Sequence, residues 1–155
     1  MTRSIAVLDA SALLASIDRR DPRHGACVAT LRRRDLGFVV PALVIAEVAY
    51  LAGERLGARV EAAFLRALAD VEVEAPTVDE WPLIADLVER YADFPLGTVD
   101  ASVAVLADRM GTDLVVTLDR RHFGAVRSPR GTAFRLLPEP VATHEDLAPY
   151  AEPGP

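Results

Sequence analysis

The chain has 155 residues, 51% of them hydrophobic and 26% charged, a composition that predicts one folded domain and excludes general disorder. Its single cysteine, Cys27, excludes an internal disulfide and a zinc site built from several thiolates. The net charge of −6 disfavours non-specific binding to nucleic acid, and the absence of lysine excludes enzymes that need a phosphate-loop, Schiff-base or general-base lysine.

The first apolar run, residues 4–8, predicts a strand that ends at Asp9, and the spacing of residues 11–17 predicts a short helix. This segment is short, is interrupted by Asp9 and lacks a small-residue cleavage site, so it does not resemble a signal peptide. No later segment reaches the roughly 20 apolar residues of a membrane span. We therefore expect a cytoplasmic protein without a membrane segment.

Helical and extended patterns alternate in the next part of the chain. They predict a helix, a buried strand and two further helices, over residues 22–34, 37–40, 41–55 and 58–68 respectively. Pro41 stands at a first-turn position of its helix, where proline is favoured. Gly53 and Gly57 are expected to mark the end of that helix.

The second half of the chain continues this alternation. It predicts an edge strand at 71–75, a long helix capped by Thr77, an interruption at 93–97, a helix from Thr98 or Val99 to Gly111, a central strand at 113–118 and a last strand at 134–138. Residues 139–155 hold four prolines and little core-forming pattern. We predict one domain over 1–138 and a Pro-rich C-terminal tail over 139–155.

Strands that alternate with helices indicate an α/β fold, with a central, mainly parallel sheet flanked by helices. Ligands of such sheets bind at the carboxyl ends of the strands. Two acids follow predicted strands directly, Asp9 and Asp119, and we expect both at that edge. An aspartate after a strand is also a common helix N-cap, so either residue alone has a purely structural explanation.

Two further acids belong to predicted helices. Asp100 lies in the first turn of its helix, where the helix macrodipole also favours a carboxylate. Glu47 lies among apolar residues of the helix at 41–55, where a charge is costly unless it is solvated or paired. Tyr50 and Glu54 fall on the same side of that helix, so the three residues alternatively form the polar face of an amphipathic helix.

If these four acids converge, their mutual repulsion requires raised pKa values or a bound cation. Oxygen-only ligands select a hard divalent ion, Mg²⁺ or Mn²⁺. Such an ion activates an attacking water, holds a phosphate and neutralises the charge that develops during phosphodiester cleavage. The set of acids therefore predicts metal-dependent phosphodiester hydrolysis.

Four segments carry a resemblance to a known family. They read VLDASALLA, PALVIAEVAYL, DFPLGTVDASVAVLADRMG and VVTLDRRHF, and they span most of the chain. In this order and at roughly these separations they resemble the motifs of PIN-domain ribonucleases of the VapC toxin type. The resemblance implies a single PIN-like, Rossmann-like domain.

The resemblance also implies the residues of the site. The catalytic and metal-binding acids are Asp9, Glu47, Asp100 and Asp119, with Ser11 and Thr117 as auxiliary hydroxyls. Family members vary around the last acid, and some place a carboxylate where this chain has His122, so a direct or an outer role for Asp119 stays open. None of the three histidines has the spacing of a zinc site or of an acid–base catalyst.

Further implications concern substrate and partners. Members of the family cleave RNA, often a tRNA or a ribosomal RNA, and a cognate VapB-like antitoxin silences them by covering a groove near the active site. They are commonly homodimers. Apart from the resemblance, Trp81, Tyr91 and Phe94 have apolar neighbours (Leu83, Ile84, Leu87 and Val88) and are interpreted as core or dimer residues in preference to base-stacking residues.

Arginines account for all 17 cations of the chain and are unevenly distributed. Five of them follow Asp119, and of these Arg120 and Arg121 are expected to bind RNA by steering a phosphate backbone toward the metal. The alternative is an ordinary solvated face.

Two other functions stay open. A PIN-domain nuclease without an antitoxin processes RNA as a housekeeping enzyme, and a degenerate domain serves as a non-catalytic binding module in a DNA-bound repressor complex. The presence of all four acids favours catalysis.

Overall fold

A computed structural model describes residues 2–140, which form five strands and seven α-helices. Their bounds in chain order are β1 (Ser4–Leu8), α1 (Ala10–Ile17), α2 (His24–Leu31), β2 (Leu36–Pro41), α3 (Ala42–Leu56), α4 (Ala58–Ala67), β3 (Glu72–Glu74), α5 (Glu80–Arg90), α6 (Thr98–Arg109), β4 (Leu114–Val116), α7 (Arg120–Ala125) and β5 (Arg135–Leu137). A 3-10 turn at Leu68–Asp70 joins α4 to β3. The predicted tail at 139–155 lies almost entirely outside the described residues.

The five strands form one sheet in the order β3-β2-β1-β4-β5, and all four pairings are parallel. At its centre Val7 of β1 aligns with Val39 of β2 and Val115 of β4. The predicted α/β fold with a mainly parallel sheet is confirmed. So are the edge position of the strand at 71–75 and the buried position of β4, whose three residues are all buried.

The helix α6, which carries Asp100, is held firmly in place because it is buried along most of its length. Residues 101–107 of this helix are all buried, and it contacts β1, β2 and β4 on one side and α5 on the other. Ile84 and Leu87 of α5 pack against Ala101 and Val105 of α6. The first turn of α6, which carries Asp100, is therefore held against the sheet by two layers of apolar contact.

Several predicted helix bounds are wrong, each for a local reason. The helix predicted at 22–34 is shorter, His24–Leu31. Pro41 has an extended backbone and is the last residue of β2, so α3 begins one residue later. Gly53 does not end α3 but lies inside it, where the Glu61 carboxylate of α4 lies 2.6 Å from the position that a Cβ would take. Gly57, with φ of +89°, ends the helix.

The predicted cap at Thr77 is also wrong, because α5 begins at Glu80 with Asp79 in the N-cap position. The Thr77 backbone N–H donates instead to the Glu80 carboxylate, at 2.9 Å. Glu80 also pairs with Arg109 Nε at 3.2 Å, which ties the start of α5 to the end of α6. Of the two starts predicted for α6, Thr98 or Val99, the structure has Thr98, and the predicted closure by Gly111, with φ of +63°, is confirmed.

The short helix α7 was not expected from the sequence.

None of the helices in residues 2–140 has the length and apolar content that crossing a membrane requires.

Candidate active site

Asp9 leaves β1 at its carboxyl end and is the N-cap of α1. Its side chain is buried, with only 3% of the residue exposed, and its backbone N–H donates to the Val116 carbonyl at 2.9 Å. The structural and the functional interpretations of this residue are therefore not exclusive. The carboxylate both ends a strand at the ligand-binding edge of the sheet and accepts the Ser11 backbone N–H at the start of a helix.

Two hydroxyl groups hold the Asp9 carboxylate in place. Ser11 Oγ lies 2.6 Å and Thr117 Oγ1 lies 2.7 Å from Oδ2 of Asp9. Each hydroxyl has one proton, and an ionised carboxylate accepts only, so both protons point to this oxygen. The hydroxyl oxygens in turn accept backbone N–H groups, from Leu118 at 2.9 Å and from Asp119 at 3.0 Å.

These hydrogen bonds fix the orientation of the Asp9 carboxylate. Every hydrogen bond that the described residues donate to the Asp9 carboxylate ends on Oδ2. The other carboxylate oxygen, Oδ1, accepts no hydrogen bond from these residues. The sequence-predicted residues Ser11 and Thr117 are thus brought into direct contact with Asp9.

Asp100 lies in the first turn of α6, and its pKa is raised from 3.8 to about 6. Burial of the carboxyl is the main cause, and the charges of Asp9 and Asp119 add to it. Hydrogen bonding from the Gly97 backbone and the nearby His122 act in the opposite direction. Asp100 is therefore close enough to both strand-end acids, Asp9 and Asp119, for their charges to raise its pKa.

Glu47 projects from α3 and is exposed, which removes the cost expected for a charge among apolar residues. Partial burial of the carboxyl raises its pKa, and the charge of Asp9 raises it further. Tyr50 and Glu54 are exposed as well, so the predicted polar face of α3 exists. Glu47 belongs to that face and also lies within the field of Asp9.

Asp119 follows β4 and is the N-cap of α7, where its carboxylate accepts the His122 backbone N–H at 3.0 Å. The second oxygen lies 2.6 Å from Nδ1 of the His122 ring. Because the carboxylate accepts only, the ring nitrogen is the donor. Both oxygens of Asp119 are thus held by one residue three positions further along the chain.

The four acids lie at the carboxyl edge of the sheet, but their side chains do not converge on a single position. Within residues 2–140, no three His, Cys, Asp or Glu side chains lie close enough together to hold one ion between them. The chemistry of the donors nevertheless fits a hard divalent cation. The donors are carboxylate oxygens, and one oxygen of Asp9 is free of hydrogen bonds from the described residues. Burial, and after it the charge of Asp9, raises the pKa of both Asp100 and Glu47, so a bound cation would favour their ionised forms.

The five arginines after Asp119 do not form one group. Arg130 pairs with Asp108 at 3.1 Å, and Arg135 pairs with Asp113 at 2.7 Å. Asp108 lies in the last turn of α6 and Asp113 directly precedes β4, so these pairs are at the amino edge of the sheet, away from the four acids. Arg120 and Arg121 begin α7 beside Asp119. Only part of the arginine cluster considered from the sequence therefore faces the carboxyl edge.

Sequence reasoning assigned no role to His122 and treated Phe94 only as a packing residue. In the structure the Phe94 ring contacts the His122 ring, with centroids 4.8 Å apart, and His122 in turn holds Asp119. The spacing of Asp119 and His122 was a usable signal, because residues three apart meet at the start of a helix. The contact with Phe94 joins distant parts of the chain and had no local signal.

Comparisons with known proteins fit this arrangement. Residues 6–128 match the model of the PIN domain. The chain is also 39% identical over 134 residues to ribonuclease VapC26 of Mycobacterium tuberculosis, an alignment that covers 85% of this chain and 99% of that relative.

Solved structures give the same fold. The M. tuberculosis toxin VapC20, described as cleaving the sarcin-ricin loop, matches with a TM-score of 0.69 at 23% identity, over 76% of this chain and 91% of that chain. VapBC2 from Rickettsia felis, bound to a fragment of its promoter DNA, matches with a TM-score of 0.61 at 16% identity, over 85% and 96% of the two chains. DNA-bound VapBC from Salmonella typhimurium matches with a TM-score of 0.59 at 19% identity, over 87% and 97%.

A parallel sheet with four acids at its carboxyl edge, together with a match over most of its length, defines the class: the chain belongs to the PIN-domain family. Within that family it is a homologue of the VapC ribonuclease toxins, as the resemblance of its motifs implied.

Proposed function

We propose that this VapC homologue is an endoribonuclease that depends on Mg²⁺ or Mn²⁺, and that Asp9, Glu47, Asp100 and Asp119 are its catalytic and metal-binding acids. The observation that carries the proposal is the state of Asp100. Its carboxyl is half-buried between the charges of Asp9 and Asp119, and its pKa is raised to about 6. A bound divalent cation relieves that repulsion and keeps the carboxylate ionised at neutral pH.

The ion, when bound, supplies activation of the attacking water and neutralisation of the charge that develops on the phosphate. The chain supplies orientation. Ser11 and Thr117 hold Asp9 from one side, with both hydroxyl protons on Oδ2. His122 holds Asp119 from the other side. The auxiliary role predicted for the two hydroxyls is thus proposed to be positioning of a ligand carboxylate.

RNA is the proposed substrate, with a tRNA or a ribosomal RNA as the target. Support comes from the relatives, which include a ribonuclease at 39% identity and a toxin of the same fold that cleaves the sarcin-ricin loop. Arg120 and Arg121, both exposed beside Asp119, are proposed to contact the RNA backbone. A cytoplasmic location is proposed accordingly.

A VapB-like antitoxin is the proposed partner, as in the two VapBC assemblies of the same fold. A cleft of about 1080 Å³ between α1, α2 and α4 offers a place for it. Its floor is apolar and includes Leu8, the residue before Asp9, and Phe64 of α4. Five arginines line the cleft: Arg19, Arg20, Arg32, Arg55 and Arg59. An apolar segment with acidic flanks would match this surface.

A homodimer is also proposed. Val78, Trp81 and Leu83 at the start of α5 are exposed, with Trp81 at 48%. Trp81 is therefore not a core residue, and of the two remaining interpretations, dimer packing and base stacking, we propose dimer packing. Sedimentation of the full chain beside a Trp81→Glu variant tests this. A dimer that becomes a monomer in the variant supports the interface, and an unchanged mass contradicts it.

The two alternative functions differ in whether they require the four acids and an antitoxin. A housekeeping nuclease needs the same acids but no antitoxin, and a small reading frame immediately upstream distinguishes it. A non-catalytic binding module needs none of the acids. The orientation of Asp9 and Asp119 by three separate side chains favours catalysis over binding alone.

The deciding experiment is cleavage of total bacterial RNA by the purified protein with Mg²⁺ or Mn²⁺, with EDTA, and by an Asp100→Asn variant, with the new ends mapped by sequencing. Discrete ends that appear only for the unmodified protein with metal support the proposal and identify the target. Cleavage that survives both EDTA and the substitution contradicts the mechanism. An Asp113→Asn variant is a matched control, because Asp113 lies at the opposite edge of the sheet and pairs with Arg135.

A further inference from the structure

Arg121 differs from the other four arginines that follow Asp119. Arg120 donates to the Pro138 carbonyl, Arg127 donates to three backbone carbonyls, and Arg130 and Arg135 pair with aspartates. The side chain of Arg121 makes no hydrogen bond or ion pair with any residue that the structure describes. Its five N–H donors are therefore available to a ligand.

Arg121 is nevertheless placed by a contact. Its guanidinium carbon lies over the Phe94 ring, 5.4 Å from the centroid, in the geometry of a cation–π interaction. The same ring contacts His122, and His122 donates to Asp119. Phe94 thus connects a free guanidinium to a side chain that holds one of the proposed metal ligands.

Phe94 itself is fixed from outside the helix α7. It lies in the connection between α5 and α6, residues 91–97, just before Asp100. The Tyr91 hydroxyl at the start of that connection accepts the Arg127 backbone N–H at 3.0 Å, two residues beyond α7. The connection is therefore attached to α7 and its flanking residues through Tyr91 and through Phe94.

We propose that Phe94 is a positioning residue, and that it holds the Arg121 guanidinium beside the active site as a clamp for a phosphate of the RNA strand. This inference rests on the proposed nuclease function. A guanidinium supported on its face by an aromatic ring keeps the donors on its edge, and two parallel donors match a phosphate. Phe94 is half-buried and already contacts two side chains of α7, so the guanidinium and not the ring meets the strand.

The test measures kcat and KM separately, with the RNA that the unmodified protein cleaves as the substrate. Three variants are compared: Arg121→Ala, Phe94→Leu and the double variant. Arg121→Ala is expected to raise KM about tenfold, the effect of losing a hydrogen bond between charged groups, and to reduce the salt slope of RNA binding by about 0.7. Phe94→Leu is expected to raise KM about threefold, because it removes the cation–π contact and keeps an apolar side chain.

The double variant separates positioning from a merely structural effect. If Phe94 acts through Arg121, adding Phe94→Leu to Arg121→Ala leaves KM at the value of Arg121→Ala alone. If Phe94 acts only by packing on His122, its loss appears in kcat and persists in the double variant. That result overturns the inference, as does an Arg121→Ala protein with unchanged KM and salt slope.

The controls distinguish failure of the proposed phosphate clamp from failure of the proposed nuclease function. Arg130→Ala removes the same charge at the opposite edge of the sheet and is expected to leave KM unchanged. Absence of cleavage by the unmodified protein contradicts the nuclease proposal itself. In that case anisotropy with a labelled single-stranded RNA still compares Arg121→Ala with Arg130→Ala, and equal affinities overturn the clamp.

Discussion

Thr117 Oγ1 lies 2.7 Å from Oδ2 of Asp9, although 107 residues separate the two in the chain. The contact exists because β4 runs parallel to β1 as its neighbour, so both strands end at the same edge. The same hydroxyl accepts the Asp119 N–H at 3.0 Å and thereby connects the first and last of the four acids.

Replacement of Thr117 by valine keeps the shape of the side chain and removes this connection. The half-buried Asp119 N–H loses its acceptor and Asp9 loses one donor, so we expect a loss of about 1–3 kcal/mol in the free energy of unfolding. We also expect RNA cleavage to fall at least tenfold, because the Asp9 carboxylate loses one of the two hydroxyl groups that hold its Oδ2. Denaturant unfolding and RNA cleavage measure the two effects.

Thr112→Val is the matched control. Thr112 Oγ1 donates to the Ile5 carbonyl of β1 at 2.6 Å and accepts the Leu114 N–H at 3.1 Å, which repeats the Thr117 pattern at the opposite edge of the sheet. It should lose stability and keep cleavage per folded molecule. An equal loss of cleavage in both variants would show that Thr117 acts only through stability.

Asp100→Asn is expected to stabilise the metal-free protein at neutral pH while it abolishes cleavage. The pKa of Asp100 is raised from 3.8 to about 6, so the folded state binds this proton more tightly than the unfolded state. The resulting stabilisation is complete below the unfolded pKa and is lost as the pH rises through about 6. Above that pH the ionised carboxylate opposes folding.

The gain from Asp100→Asn should therefore be near zero at about pH 4 and reach about 1 kcal/mol at about pH 7, because solvent screens part of the repulsion. Urea unfolding of both proteins across this range measures it. A variant less stable than the unmodified protein at neutral pH would contradict the proposed crowding of negative charge.

Mg²⁺ is expected to raise the melting temperature of the unmodified protein in the absence of RNA. An ion that binds only the folded state contributes about 2.7 kcal/mol at a hundredfold excess over its Kd. Asp100→Asn removes a proposed ligand and should lose most of this effect, and EDTA should reverse it. Equal shifts in the two proteins would place the ion elsewhere.

His122→Ala is expected to lower cleavage about tenfold, because the Asp119 carboxylate loses the ring donor at 2.6 Å. His122→Asn should retain much of the activity, since an amide nitrogen can donate from nearly the same position as Nδ1. Cleavage rates of the two variants, measured beside their melting temperatures, provide the test. Equal losses in both variants would mean that the ring acts by packing on Phe94 and not as a donor.

The strand-end rule explains why much of the site was predictable from sequence. Asp9, Thr117 and Asp119 all lie at or just after a short apolar run, and neighbouring parallel strands bring such residues to one edge. Glu47 was noted as a charge among the apolar residues of a helix and Asp100 as a carboxylate in the first turn of a helix, and the resemblance to the PIN-domain family joined them to the other acids. The positions of these residues depend on local pattern and on the sheet alone.

The residues that were missed depend on contacts between segments. The six residues of α7 are too few to show helical periodicity, so neither that helix nor the pairing of His122 with Asp119 was anticipated. The contact of Phe94 with Arg121 arises only once α5 and α6 have packed. The cap predicted at Thr77 failed for a local reason, because the Glu80 side chain supplies the acceptor at the start of α5.

Asp9 is both the N-cap of α1 and a proposed metal ligand. Selection would therefore act differently on substitutions of Asp9 and on substitutions of Asp100. A cell that escapes a toxic nuclease by point mutation needs an inactive product, and substitution at Asp9 also removes a buried hydrogen-bond acceptor, so the folded state would be less stable. Asp100→Asn removes mainly charge, so the inactive chain would stay folded and would still bind the proposed antitoxin. Surviving alleles at Asp100 would therefore keep sequestering the proposed antitoxin, whereas alleles at Asp9 would release part of it.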